Sequence, residues 1–380
     1  MRFLHLADLH LGKQMNDISL LEDQKAMLCR ILALADAEEA DAVLIAGDVY
    51  QRSMPQAEAV ALFDFFLTEL SKRGLPVLVI SGNHDCAERV SYGATLLKNS
   101  GVYLSERFDG KLQRVVLQDA YGEISVWLLP FLRPGQVRLL FPEENITNSR
   151  EAMAAILRAA PVDPEQRNVL VCHALLGGSE PSGSEEISVG TLDAVPVSTF
   201  DAFDYVALGH IHRPQSFQGG RLRYAGSPLK YSFSEAAHQK SVTIAEIGAK
   251  GDLSVRAIPL APLHDVRLLS GSMAQLLALP RSEDYLWITL TDELVAPDAR
   301  QTLAEHFPNL MKFSVANSKT SLQQDFAETD SVALLESKSV TELFCDFYRL
   351  QNNGESPTEK HLQVLAGILR QMDETGGTDV

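Results

Sequence analysis

"YVALGHIHRPQ", residues 205–215, is the stretch on which the reading of this chain turns. Tyr205 to Leu208 read as a buried strand, Gly209 ends it, and His210 and His212 follow with one residue between them. On extended backbone, alternate side chains share a face, so both imidazoles are expected to point the same way. Two imidazoles on one side of a strand end are a poor choice for packing. They suit a shared ligand.

The same grammar recurs upstream. "RFLHLADLH" closes on Asp8 and His10, "DAVLIAGDV" on Gly47-Asp48, "LPVLVISGNHD" on Gly82-Asn83-His84-Asp85, and "NVLVCHA" on His173. Ligands of open α/β sheets lie beyond the carboxyl ends of the strands, so these groups should converge on one crevice. Asp8, His10, Asp48, Asn83, His173, His210 and His212 offer two carboxylates, one amide oxygen and four imidazoles, with His84 in reserve. No thiolate is present, which disfavours a structural zinc or an iron–sulfur cluster. Seven donors are too many for one ion. They suit two ions roughly 3.5–4 Å apart that share a carboxylate, the arrangement for displacement at phosphorus. Glycines before Asp48, Asn83 and His210 would let the backbone turn beside the ions.

Helical patterns at 20–38 and 57–72 separate the first strand-like runs, as in βαβ units around a mainly parallel sheet. From residue 112 to 259 strands dominate and helices are sparse, so a second, more antiparallel sheet is expected to stack on the first. Residues 1–262 would then form a four-layer α/β/β/α sandwich. A βαβαβ-like unit over 263–317 reads as a small second, capping domain. An acidic linker is expected over 318–337, two amphipathic helices within 338–372, and a disordered tail over 373–380.

Composition sets limits. No apolar run among the 380 residues approaches the roughly 20 needed for a membrane span. Cys29, Cys86, Cys172 and Cys345 are scattered, as expected of reduced thiols in a cytoplasm. The net charge of -17 argues against nucleic-acid binding driven by this chain alone. Residues 321–380 hold 11 of the acidic and 4 of the basic residues, so part of that charge lies at the end. If DNA or RNA is handled, bound cations or a basic partner must offset the field.

In this order, "DLH", "GDV", "GNHD", the lone His173 and "GHIH" resemble the five motifs of the calcineurin-like metallophosphoesterases. "LADLHLGK", "AGDVY", "SGNHD", "PFLRP", "VGTLDAVP", "ALGHIHRPQ" and "YAGSPLKYSFSE" narrow the resemblance to the double-strand-break repair nucleases, whose bacterial members are the D subunits of SbcCD complexes. It covers residues 1–260; beyond them it rests on domain order and length.

The resemblance implies one ion on Asp8, His10, Asp48 and His212 and another on Asp48, Asn83, His173 and His210, with Asp48 bridging. It implies manganese, and it leaves His84 free to act as acid or transition-state stabiliser. Asp85, next in sequence, could orient His84 unless backbone alternation turns it away. The activity implied is hydrolysis of DNA as a duplex 3'-5' exonuclease and a single-strand and hairpin endonuclease. Its setting would be a cytoplasmic, nucleoid-associated, ATP-dependent complex for replication, recombination and repair. The resemblance further implies a homodimer formed near helix 57–72 and residues 92–97, and an SbcC-type coiled-coil ATPase on the closing helices.

Plainer readings stand beside these. A phosphodiesterase of small substrates, or a non-catalytic organiser of a DNA-end complex, would share the same ligands. His5, His238, His264, His306 and His361 read as satisfied polar residues, and Arg52, Arg89, Arg133, Arg213 and Lys230 as surface charge. "GSP" at 226–228 reads as a turn, and residues 177–190 as a flap or an exposed loop. Val60, Phe63, Phe66, Leu67 and Leu70 form the face of helix 57–72 expected to cover the sheet, with Phe65 outside it.

Overall fold

A computed structural model describes residues 1–182, 185, 194–318, 340–351 and 356–374. Nearly all of the expected linker, the last six residues of the expected tail and much of the 177–190 loop lie outside the described residues. The chain divides into two compact units, Met1–Val266 and Arg267–Val380.

The first unit holds two six-stranded sheets. In one, β1 (Arg2–Leu6), β4 (Ala42–Ala46), β5 (Val77–Ile80) and β6 (Val102–Leu104) run parallel. Two antiparallel strands, β13 (Ser241–Ile247) and β14 (Leu253–Pro259), extend it beyond β1. The hairpin of β2 (Gln14–Met15) and β3 (Ile18–Ser19) lies in the connection after β1. The other sheet runs in the order β11 (Gln215–Phe217), β12 (Leu222–Tyr224), β10 (Tyr205–Gly209), β9 (Arg167–His173), β8 (Gly122–Leu129) and β7 (Gln113–Asp119).

This second sheet is not the more antiparallel one expected from the sequence. Its four inner strands are parallel and only its edges are antiparallel, the same mixture as in the first sheet. A parallel β8–β9 pair needs a crossover. Two helices supply it, α5 (Pro134–Leu140) and α6 (Ser149–Ala159), against the expectation of sparse helices. The start of α6 was legible: Asn148 caps it by accepting from the N–H of Glu151 at 3.0 Å.

Alternation builds the layers. Ala42, Leu44 and Ala46 of β4 face Val169 and Val171 of β9 in the core between the sheets. On the far side of the second sheet, Leu170, Cys172, Val206 and Leu208 pack against Ala152, Met153 and Ile156 of α6. The first sheet is covered by α1 (Leu21–Ala37) and α2 (Ala57–Lys72). The architecture is the four-layer α/β/β/α sandwich. In α2 the buried face is Ala59, Leu62, Phe63, Phe66 and Leu70, whereas Val60, expected there, is 43% exposed. Two short helices, α3 (Ala87–Val90) and α4 (Ala94–Leu97), follow β5.

The second unit is a three-stranded sheet of β15 (Val266–Gly271), β16 (Tyr285–Leu290) and β17 (Leu310–Val315), with α7 (Met273–Leu277) and α8 (Ala299–His306) between them. Leu276, Leu286, Ile288, Leu303 and Phe307 form its core. The division at Val266 lies four residues past the expected 262, because Lys230 still holds Asp265 at 2.9 Å. The closing helices are α9 (Val340–Gln351) and α10 (Glu359–Glu374), so the helix runs two residues into the expected tail. Tyr348 of α9 stacks on His361 of α10 with centroids 4.9 Å apart.

Candidate metal centre

Every candidate ligand lies where a strand of the first unit ends. Four of them, Asp8 (φ 53°), His10 (φ 43°), Asp48 (φ 50°) and His210 (φ 106°), hold positive φ, a conformation that costs a non-glycine residue about 1–3 kcal/mol. His210 and His212 do face one crevice, though not through strand alternation: the extended backbone stops at Gly209. The preceding glycines are there for clearance. A Cβ on Gly209 would meet the carbonyl oxygen of Ala46 at 1.9 Å, and one on Gly82 would meet Asp48 Oδ1 at 2.1 Å.

The donors fall into two groups around Asp48. Nε2 of His10 faces Nε2 of His212 at 3.0 Å, with a carboxylate oxygen of Asp8 close by. Asn83 Oδ1 lies 2.9 Å from His173 Nε2 and 3.1 Å from His210 Nδ1. Asp48 Oδ2 stands between the groups, 3.6 Å from His10 Nε2 and 3.5 Å from His173 Nε2. Its other oxygen accepts from the backbone N–H of His84 at 2.9 Å. His84 sits at the mouth of the crevice with Nε2 4.0 Å from Asp48 Oδ2. A cavity of about 830 Å³ opens beside Asn83, His173 and His210, walled in part by Phe131, Leu132 and Met153.

This donor set fits cations. Asp8 is fully buried; Oδ1 accepts from the N–H of His210, and Oδ2 is a buried atom without a hydrogen bond. Burial, then the neighbouring Asp48 charge, holds the Asp8 carboxyl well above the ordinary carboxylate range. Burial pushes His173 and His210 down to about 3, and it drives His10 well below its usual value with help from His212 and His84. Neutral imidazoles and crowded carboxylates aimed at one space are what divalent ions require of a site.

Asp85 does not orient His84. Its carboxylate accepts from the N–H groups of Gly82 (2.9 Å), Val49 (3.0 Å) and Tyr50 (2.9 Å), tying the β5 loop to the β4 loop. Backbone direction sends consecutive side chains apart, and three unpaired N–H groups take the carboxylate. Burial, followed by Asp48, raises it to about 7.

Sequence reasoning missed what lies behind the ligands. Glu235 Oε1 stands 3.0 Å from His212 Nδ1, Lys240 Nζ donates to Glu235 Oε2 at 2.6 Å, and Glu185 accepts from the N–H of His212 at 2.8 Å. Burial raises the Glu235 carboxyl, but His212 and Lys240 outweigh it and hold the group well below its usual range. Among the side chains read as plain, His5 meets Tyr205, His264 meets Asp23, Arg213 meets Glu180 and Lys230 meets Asp265.

Fold and site together define the class, a calcineurin-like phosphoesterase, and the profile of that family matches residues 1–214. A second profile, the Type 5 capsule protein repressor C-terminal domain, matches residues 262–352. The D subunit of the nuclease SbcCD from Staphylococcus epidermidis is 30% identical over 322 residues, covering 83% of this chain and 85% of that one. The chain belongs to this family of SbcCD nuclease D subunits. Similar solved structures include a protein of Thermus thermophilus (12% identical, 67% of this chain and 98% of that one, TM-score 0.37). A dimetal phosphatase from Danio rerio is another (10% identical, 68% and 95%, TM-score 0.39). No described helix is long and apolar enough to cross a membrane.

Proposed function

We propose that this chain is a manganese-dependent DNA nuclease acting in the cytoplasm as one subunit of an ATP-dependent DNA-end-processing complex for replication, recombination and repair. It would degrade duplex ends 3'-5' and open hairpins and single strands. The observation that carries the reading is Asp48 Oδ2, set between His10 and His173 so that one carboxylate serves both donor groups. Asp8, His10, Asp48 and His212 would hold one ion, and Asp48, Asn83, His173 and His210 the other. Bound divalent ions would supply the Lewis acidity for displacement at phosphorus. His84, at the mouth, donates a hydrogen bond to the scissile group and stabilises charge on the departing oxygen.

The charge of -17 calls for help with DNA, and two ions with an SbcC-type ATPase would supply it. Val364 and Ile368 of α10 expose apolar side chains suited to a helical partner. Tyr92, 86% exposed, and Leu96, 77% exposed, offer the apolar surface for a homodimer through the nuclease unit.

The test is a labelled duplex and a labelled hairpin incubated with manganese, with and without the ATPase subunit, using wild type and Asp48→Ala. Cleavage by wild type alone, enhanced by the ATPase, is expected. Rapid turnover of a small diester with no cleavage of either DNA would replace this reading by a small-substrate phosphodiesterase.

A further inference from the structure

We infer that Tyr231, Glu235 and Lys240 form a buried brace that positions His212 and His10, so that the ion these two hold with Asp8 depends on residues outside the ligand motifs. The inference rests on the dimetal reading. Residues 231–240 lie between the stretches matched by the two family profiles, 1–214 and 262–352.

Lys240, 4% exposed, spends its three donors on Glu235 Oε2 (2.6 Å), the carbonyl of His212 (2.9 Å) and Ser227 Oγ (2.7 Å). Glu235 is fully buried and sets Oε1 3.0 Å from Nδ1 of His212. A carboxylate only accepts, so the proton of that imidazole is assigned to Nδ1 and Nε2 is left with its lone pair in the crevice. Tyr231 OH donates to the carbonyl of Leu9, and Gln24 Nε2 donates to the carbonyls of Leu9 (3.2 Å) and His10 (2.8 Å). The Tyr231 ring stands edge-on to both imidazoles, at 5.5 Å from His10 and 5.9 Å from His212. In the other donor group, Nδ1 of His173 leans on one carbonyl, Ala46 O at 2.9 Å.

A stabilising role does not account for the brace. Desolvating an ion pair commonly costs as much as the pair returns, and an apolar pair of like size is often as stable. What the pair supplies is direction: it fixes one tautomer and one ring orientation, and second-layer partners of this kind typically govern metal affinity 10–100-fold.

The test is manganese binding to the full chain by calorimetry and by the resonance signal of free manganese. Wild type should bind two ions. The double variant Glu235→Leu with Lys240→Met should melt in EDTA within a few degrees of wild type, yet bind one ion roughly 10–100-fold more weakly. Glu235→Gln with Lys240→Met keeps an acceptor for Nδ1–H and should fall between them. On an Asn83→Ala background, which weakens the neighbouring position, the ion that stays should be the one that suffers the loss. Unchanged affinities, or an equal fall at both positions with a lower melting point, would overturn the brace. Failure of wild type to bind manganese would overturn the dimetal reading itself.

Discussion

Nε2 of His10 faces Nε2 of His212 across 3.0 Å, in a pocket where both rings are almost wholly buried. Glu235 claims the Nδ1 proton of His212, so the Nε2 of that ring brings a lone pair. His10 is held neutral by burial and by His212 and His84 around it. A cation held there would give the His212 lone pair and the unpaired Oδ2 of Asp8 a partner, with His10 Nε2 beside them.

Asp8→Asn should reverse sign with metal. In EDTA it relieves a buried carboxylate crowded by Asp48 and should stabilise the fold by about 1–3 kcal/mol. With manganese present it removes a ligand and should melt below wild type. Thermal melts in both conditions decide the matter; a lower melting point in EDTA would show that Asp8 has a partner in the metal-free protein.

His84→Ala should leave both ions bound and reduce kcat by roughly two to four orders of magnitude. The His84 ring lies at the mouth, and its backbone N–H, which holds Asp48 Oδ1, survives the substitution. Loss of an ion in calorimetry would instead make His84 a ligand.

Asp85→Ala should behave quite differently. It strips three backbone N–H groups of their acceptor, and the fold should lose roughly 3–5 kcal/mol. Both ions should weaken, because the bond from the His84 N–H to Asp48 Oδ1 is then left to tie the Asp48 and Asn83 loops together. A fall confined to kcat, with stability intact, would restore Asp85 as an orienter of His84.

Removing residues 338–380 should abolish copurification with the ATPase while sparing the manganese-dependent cleavage of the nuclease unit. The exposed Val364 and Ile368 of α10 are the apolar contacts that would be lost. Undiminished copurification would place the partner surface elsewhere.

His5 should make stability pH-dependent. Burial, then Arg223, pushes its pKa down to about 3 against an ordinary 6.5. Below pH 6.5 the unfolded chain takes up a proton that the folded one refuses. The contribution is therefore full above 6.5 and falls by about 1.4 kcal/mol per pH unit toward 3. Denaturation in EDTA at pH 6.5 and 5.0 should show a shallower loss for His5→Gln than for wild type; identical losses would refute the assignment.

Much of the fold was legible because the strands that lead to the site announce themselves twice, by an apolar run and by the polar group that ends it. Helix 57–72 was legible in extent but not in its buried face, since Val60 and Leu62 are equally apolar and only packing separates them. The parallel character of the second sheet was not legible, because its crossover helices are short and α6 is mostly small residues and charges. The role of Asp85 escaped for a different reason. Neighbours in sequence suggest a shared task, but the three N–H groups were closer.

By itself the sequence supplied the candidate donors: oxygen and nitrogen groups placed at strand ends, in the order of the calcineurin-like phosphoesterases. Strand ends in one open parallel sheet share one edge, so local pattern gathers Asp8, His10, Asp48 and Asn83. His173, His210 and His212 reach them from the second sheet only through stacking. Only the tertiary structure decided how those donors are held. It brought Glu235 and Lys240 behind His212, set Asp48 between two groups of imidazoles, and turned Asp85 toward the backbone. The physical reason is that a buried polar atom takes whichever partner the packing brings within reach, and that partner need not be near it in sequence.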